Sequence, residues 1–503
     1  MPEHRPHDPR DAARRGEDGS YGSYGEASSS HARSNPGSIA ILFCIGVVSI
    51  FTLFASGLLL YSEKRLIGLL VGFFAYATTL HNLRLGLMLT MFVIGLSPEM
   101  GVAGAESLRL EDFLFPGILL AWLCRSILQG RRFEPTPLKM PILLFLMLQP
   151  ISMLHGFIYW PDYHPYSTSL VKDAVFTILK VTQYYLLFFL VLNAMDRRLH
   201  VRQMVIAFVA AGTLSALLLA TGIGGVTRTA QAGSRLSGPE GEGANILGGY
   251  LIIHILVTAI TAFHVPRGRG RLILVGCVAL QGYVLLETLS RGALTALLGG
   301  LVAIGIMRQR AVIAAVVVLM IFLPIYLPED MAERFATTLD ILPGMSERAP
   351  PSSWLAKVHA WQNLLKRAES APFLGRGAGR LPRSFVDSEY VKVIGEMGAI
   401  GFAVFVWMLV RIFRMISDAH MRERDPVLRG FLLGFLGAYI ALLIHAAAAT
   451  SLTTVRTMEP LMFGLGLAAY LYNHPPAPVP RHAKSRREES RSDGRAMAAP
   501  TGA

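Results

Sequence analysis

Seven arginines and a short run of acids are the residues of this chain whose spacing could do chemistry. Arg228 and Arg235 lie in "TRTAQAGSRLSGPEGEGAN", Arg291 in "TLSRGALTALL" and Arg456 in "SLTTVRTMEP". Arg376, Arg380 and Arg383 lie in "GRGAGRLPRSFVDSEY", which ends in Asp387 and Glu389. A guanidinium offers a planar fork of donors that matches phosphate or diphosphate. A carboxylate among arginines stays ionised at neutral pH and can take a proton from an attacking hydroxyl. Asp387 and Glu389 have that setting, as do Glu240 and Glu242, and Glu396 follows in "GEMGAIG". The chemistry on offer is an anion site beside a base. Each residue also has a plainer reading. An arginine can snorkel or pair with Glu240, Glu242, Glu389 or Glu459. Asp387 or Ser388 can cap a helix, and Glu396 can pair with Lys392. The glycines of "GRGAGR" can lend backbone N–H groups to phosphate oxygens or simply connect. No Lys-Ser/Thr follows them, so the stretch is not a P-loop.

The elements that must hold these residues are membrane helices. Of 503 residues, 52% are hydrophobic and only 16% charged, against about 25% in a soluble domain. The apolar residues come in blocks of helix-spanning length, not in the alternating short runs of a β-barrel. About fourteen blocks start near Ile39, Leu66, Leu83, Phe113, Pro141, Ala174, Val201, Asn245, Leu272, Gly292, Ala311, Val391, Gly430 and Met458. Several are short, which gives an all-α polytopic protein with about 12–14 spans. The expected divisions are a disordered tail over 1–38, helices over 39–327, one long loop over 328–390, helices over 391–473 and a disordered basic tail over 474–503. With both termini cytoplasmic, the loops bearing Arg131, Arg197, Arg267, Arg308 and Arg422 all fall inside, as the positive-inside rule requires. The seven arginines above then lie at or beyond the opposite face, where arginine is costly unless it is paired or faces water.

Composition narrows the function classes. The net charge of +13 sits in loops between apolar blocks, which argues against nucleic acid as a partner. The three cysteines, Cys44, Cys124 and Cys277, form no CxxC or Cys/His cluster, so no disulfide framework or zinc site is expected. No Asp-x-Asp occurs, so neither a metal nor another cofactor is expected. His359 lies on an amphipathic stretch with Trp354, Val358, Trp361 and Leu365 and reads as a surface histidine. His254 and His445 fall within spans without a ligand partner at helical spacing.

The order of these motifs resembles the O-antigen ligase and polymerase family of bacterial integral membrane glycosyltransferases. The resemblance rests on "SRLSGPEGEGANILGGYL" (234–251), "TLSRGALTALLGG" (288–300), "WLAKVHAWQNLLKRAESAPFLGRGAG" (354–379) and "DSEYVKVIGEMGAIGF" (387–402). Two positions depart from it. Asp387-Ser388 stands where ligases tend to have His-Asn, and Lys357 stands where a loop arginine is often found. The first turns the resemblance toward the branch that polymerises exopolysaccharide repeat units. What it implies is transfer of a polyprenyl-diphosphate-linked oligosaccharide to a glycan acceptor at the outer face of the bacterial cytoplasmic membrane. Arg235 and Arg291, with Arg376 and Arg380, would hold the diphosphate. Asp387 would act as base, oriented by Glu389 or Glu396. A flippase and a chain-length regulator would be pathway partners alongside membrane lipid. The competing readings are a ligase joining finished glycan to another acceptor, and a transporter or flippase of lipid-linked glycans. A transporter would often show internal repeats with interrupted helices, and the sequence shows no such repeat.

Overall fold

In a computed structural model, residues 82–95, 100–102, 105–130, 133–159, 168–222, 226–229, 235–239, 243–308, 310–314, 317–318, 353–380 and 387–476 are described, with Ala77 and Thr79. The expected tails, the blocks near Ile39 and Leu66, Glu240, Glu242, Arg383 and the loop's first part lie outside the described residues. Twelve helices are described: α1 Leu83–Ile94, α2 Leu110–Gln129, α3 Lys139–Tyr159, α4 Thr168–Ala194, α5 Arg198–Thr221, α6 Ala244–His264, α7 Arg269–Glu287, α8 Arg291–Met307, α9 Ser353–Ala368, α10 Glu389–Arg422, α11 Pro426–His445 and α12 Val455–Asn473. Seven of them are long and apolar enough to cross a membrane, and three shorter ones are apolar. The fold is that of an all-α polytopic membrane protein. Two antiparallel hairpins interrupt it, β1 Met100–Val102 with β2 Ala105–Leu108, and β3 Val226–Thr229 with β4 Arg235–Pro239. Both fill connections that read as plain loops in sequence.

Local signals explain the helix ends. Asp425 caps α11 by accepting from the Val427 and Leu428 N–H groups at 2.9 and 3.0 Å, with Pro426 as the first helical residue. Gly130 and Gly222 end α2 and α5 with left-handed φ of 58° and 73°. The core is built around α6. In α6, 83% of the apolar window is buried within the protein, against 17% in α7, the next helix along. Glycines let α11 reach α6 backbone to backbone. A Cβ on Gly434 would stand 2.7 Å from the Leu256 carbonyl oxygen, and one on Gly430 2.9 Å from Thr261 Cα. Small residues at such crossings replace the hydrophobic driving force that lipid does not supply.

The described part of the expected long loop is not structureless. Helix α9 covers much of it, and among its described side chains Leu364 and Ala368 are buried. His359 is exposed, as expected, but so is Leu365; the inward face lies one position over from the one read in the sequence.

Candidate functional site

Arg235 opens β4 and reaches the turn between α7 and α8. Its Nε donates to the Thr288 carbonyl at 3.2 Å and its Nη2 to Asn245 Oδ1 at 3.3 Å. Asn245 Oδ1 also accepts from Ser290 Oγ at 2.8 Å. Ser290 in turn caps α8, accepting from the Ala293 N–H at 3.3 Å. One amide oxygen therefore ties the arginine, the start of α6 and the start of α8. Arg291, the first residue of α8, is half-buried beside this knot. Two helix N-termini and the Arg235 guanidinium share the corner, with Arg291 as the first residue of α8, and both kinds of group favour an anion. Leu289 sits in the turn with φ of 49°, a left-handed conformation that is strained for a branched side chain.

His445 closes the corner from α11. The buried ring lies between Gly249 of α6 and Gly292 of α8, where an added Cβ would come within 3.5 and 3.8 Å of it. Its Nδ1 shares a 2.6 Å hydrogen bond with Ser451 Oγ in the α11–α12 connection. Arg456 is wholly buried at the head of α12, 3.5 Å from the Gly95 carbonyl and against Gly238 of β4.

The acids lie across the α11–α12 connection. Asp387 is half-exposed and pairs with Lys357 of α9 at 3.1 Å; Lys357 also donates to the Ala448 carbonyl at 2.9 Å. Ser388 holds the cap position of α10 without a capping side-chain bond, so Asp387 is not the cap. Glu389 is buried; its Oε2 accepts from the Leu452 N–H at 3.2 Å and Thr453 Oγ1 at 3.3 Å. Lys392 Nζ donates to the same threonine at 3.2 Å. Glu389, Lys392 and Glu396 line one narrow cavity of about 30 Å³ with Gln149 and Tyr185, room for a water or two and not for a sugar.

The glycine stretch does something else. Helix α10 breaks at Gly398, whose φ is 65° and ψ −164°. The break opens two helical hydrogen bonds, and residues 372–377 fill all four places. Arg376 and Gly377 donate their N–H groups to the Gly395 and Glu396 carbonyls, each at 3.0 Å. Pro372 and Phe373 accept from the Ala399 and Ile400 N–H groups at 2.8 and 3.2 Å. Ser152 of α3 seals the join, donating to the Glu396 carbonyl at 2.6 Å and accepting from the Ala378 N–H at 3.2 Å. Of the N–H groups expected to meet phosphate, those of Arg376 and Gly377 are therefore engaged with α10 and that of Gly375 with the Ala371 carbonyl. Only such pairing makes non-helical backbone tolerable at membrane depth. Arg380 donates to the Gly156 carbonyl and lies over the Phe157 ring at 4.7 Å. Burial, then the Arg376 charge, holds its guanidinium below the ordinary value. Arg376 donates to Ser370 Oγ at 2.8 Å.

The structure thus sets Arg235 on the turn that leads into Arg291, gathers Glu389 and Glu396 on one cavity, and pairs Asp387 with Lys357 of α9. Arg376 and Arg380 lie against α3. Sequence reasoning set His445 aside for want of a partner at helical spacing; its partner Ser451 is six residues on, beyond the end of the helix. It also passed over a buried ionic group, Arg109 with Glu111 at 3.8 Å and Asp112 with Lys180 and Gln183. Its signal was legible: Lys180 is a charge inside an apolar block.

Fold and site together define a class, a polytopic helical membrane protein with an arginine corner beside buried carboxylates. Residues 276–406 match the model of the family described as O-antigen ligase. The matched stretch runs from within α7, through α8, α9 and the glycine stretch, past the break in α10. No curated protein matches the chain.

Proposed function

We propose that the protein is a glycosyltransferase that polymerises polysaccharide repeat units at the outer face of the cytoplasmic membrane. The donor is an oligosaccharide on a polyprenyl diphosphate, and the acceptor is the end of another glycan. The family match supports a ligase- or polymerase-type role for a membrane glycan enzyme. The observation that carries the reading is the arginine corner: Arg235 fixed by Thr288 and Asn245, beside Arg291 at the head of α8. In this reading the two guanidiniums and the two helix N-termini hold the diphosphate and take up the charge it gains on leaving. Asp387, half-exposed and paired with Lys357, accepts the proton of the acceptor hydroxyl. That oxygen attacks the anomeric carbon, and the bond to the diphosphate breaks with its electron pair on the leaving group. Glu389 and Glu396 are buried away from bulk water and act by holding α10 and the α11–α12 connection in place.

A deletion strain tests the reading. Loss of a polymerase leaves single repeat units on lipid carrier, facing outward. Units facing inward would make the protein a flippase instead. Polymer of full length left on the carrier would make it a ligase. Complementation with Asp387→Asn should fail to restore polymer; restoration would remove Asp387 from the role of base.

A further inference from the structure

The end of the bundle opposite the arginine corner carries a second, differently charged site. Helices α2, α4 and α12 all finish there, at Gln129, Ala194 and Asn473. A cavity of about 250 Å³ opens between them. Three aromatic rings line it, Trp122, Phe133 and Tyr470, with Trp122 and Phe133 edge to face at 5.1 Å. Two carboxylates, Glu134 and Asp196, line it as well. Rings, carboxylates and the negative ends of three helices all favour a cation. The Glu134 N–H donates to Asn193 Oδ1 at 2.8 Å, and its carboxylate is held at longer range, by Asn473 Nδ2 at 3.5 Å and His474 Nε2 at 3.9 Å.

A smaller cavity adjoins the first and shares Trp122, Ser126, Asn193 and Asp196 with it. It adds the opposite charge, Arg84 and Arg125, where α1 begins. A simple cation such as a polyamine has no use for the arginines, and a simple anion is repelled by the carboxylates. A zwitterion satisfies both. The apolar span of α4 ends at Ala194, so Asn193 and Asp196 stand at the depth of lipid headgroups. We infer that this pair of cavities binds the headgroup of an ethanolamine phospholipid. Its ammonium lies among Glu134, Asp196 and the rings, and its phosphate lies on Arg84 and Arg125. A primary ammonium can donate hydrogen bonds to the carboxylates, which a choline headgroup cannot.

The test uses the full chain purified in detergent and native mass spectrometry with phosphatidylethanolamine, phosphatidylglycerol and phosphatidylcholine. Phosphatidylethanolamine should be retained about tenfold more strongly than either, the worth of one or two charge-assisted hydrogen bonds. Glu134→Gln with Asp196→Asn should erase that preference. Equal retention of the three lipids by the wild type, or a preference that survives the double substitution, would overturn the site. A competition on the wild type needs no variant. Phosphoethanolamine should displace the bound lipid while glycerol phosphate does not, and no difference between them would overturn the assignment. Tight binding of phosphoethanolamine without any lipid preference would make the ligand a soluble one and overturn the lipid reading.

Discussion

The two arginine-bearing stretches, 235–291 and 375–380, look alike in sequence and differ in the folded chain. Both place arginine next to glycine at the edge of an apolar block. In the first, the arginines stand at the mouths of two helices, and Arg235 is held by neutral oxygens of Thr288 and Asn245. Those two acceptors orient the guanidinium at the turn where α8 begins. In the second, the glycines serve the backbone. The Arg376 and Gly377 N–H groups repair the break at Gly398, and Arg380 is folded onto Gly156 and Phe157. Similar residues make a charged corner in one place and a plug in the other. What separates them is whether the neighbouring helix arrives intact or broken.

The largest effect that could break this comparison is on activity at the first stretch. Arg291→Ala should lower the rate of glycan transfer about 10²–10³-fold, the usual loss for one charge-stabilising donor. The protein should still purify folded. Arg291→Lys should recover only part of the rate, because a lysine keeps the charge and loses the fork. A rate for Arg291→Ala within a few-fold of wild type, read as polymer formed from lipid-linked units by membranes of matched protein content, would dissolve the distinction.

The second stretch should answer in stability. A Cβ on Gly375 would stand 2.3 Å from the backbone of Glu396, at a φ of 68°. Gly375→Ala should therefore destabilise the protein by about 3 kcal/mol, combining left-handed strain with overpacking. Thermal unfolding in detergent would show it as a lowered midpoint. An unchanged midpoint would mean that the stretch does not hold α10 together.

The sequence carried the helices further than the site. Apolar blocks starting near Leu83, Pro141, Val201, Asn245, Leu272, Gly292 and Gly430 each became a helix within a few residues of the expected start. Length and hydropathy decide that, and they are local. The Arg235–Asn245–Ser290 knot was half-legible, since all three residues lie in motifs the sequence singles out, but their meeting depends on how α6 and α8 pack. The plug was not legible. "GEMGAIG" gives no local sign that Gly398 takes a left-handed φ, because glycine permits it and does not require it. Only the four hydrogen bonds from residues 372–377 make it the stable choice. The same holds for Asp387: the sequence offered a cap or a base, and its partner Lys357 lies thirty residues away by the count 387 − 357.

The smallest expected effect is the sharpest test of the division. Arg376 is the residue of the plug whose side chain points away from the helix break, to Ser370. If the two stretches have separate roles, Arg376→Ala removes the exposed bond to Ser370 and should leave transfer within about twofold of wild type. Arg380→Ala should behave differently, lowering the unfolding midpoint through its lost packing on Phe157 while leaving the apparent affinity for the lipid-linked donor unchanged. A donor affinity that fell with Arg376→Ala as much as with Arg291→Ala would join the two stretches into one diphosphate site. The plug would then have to be read as a backbone anchor that also lends its side chain to the substrate.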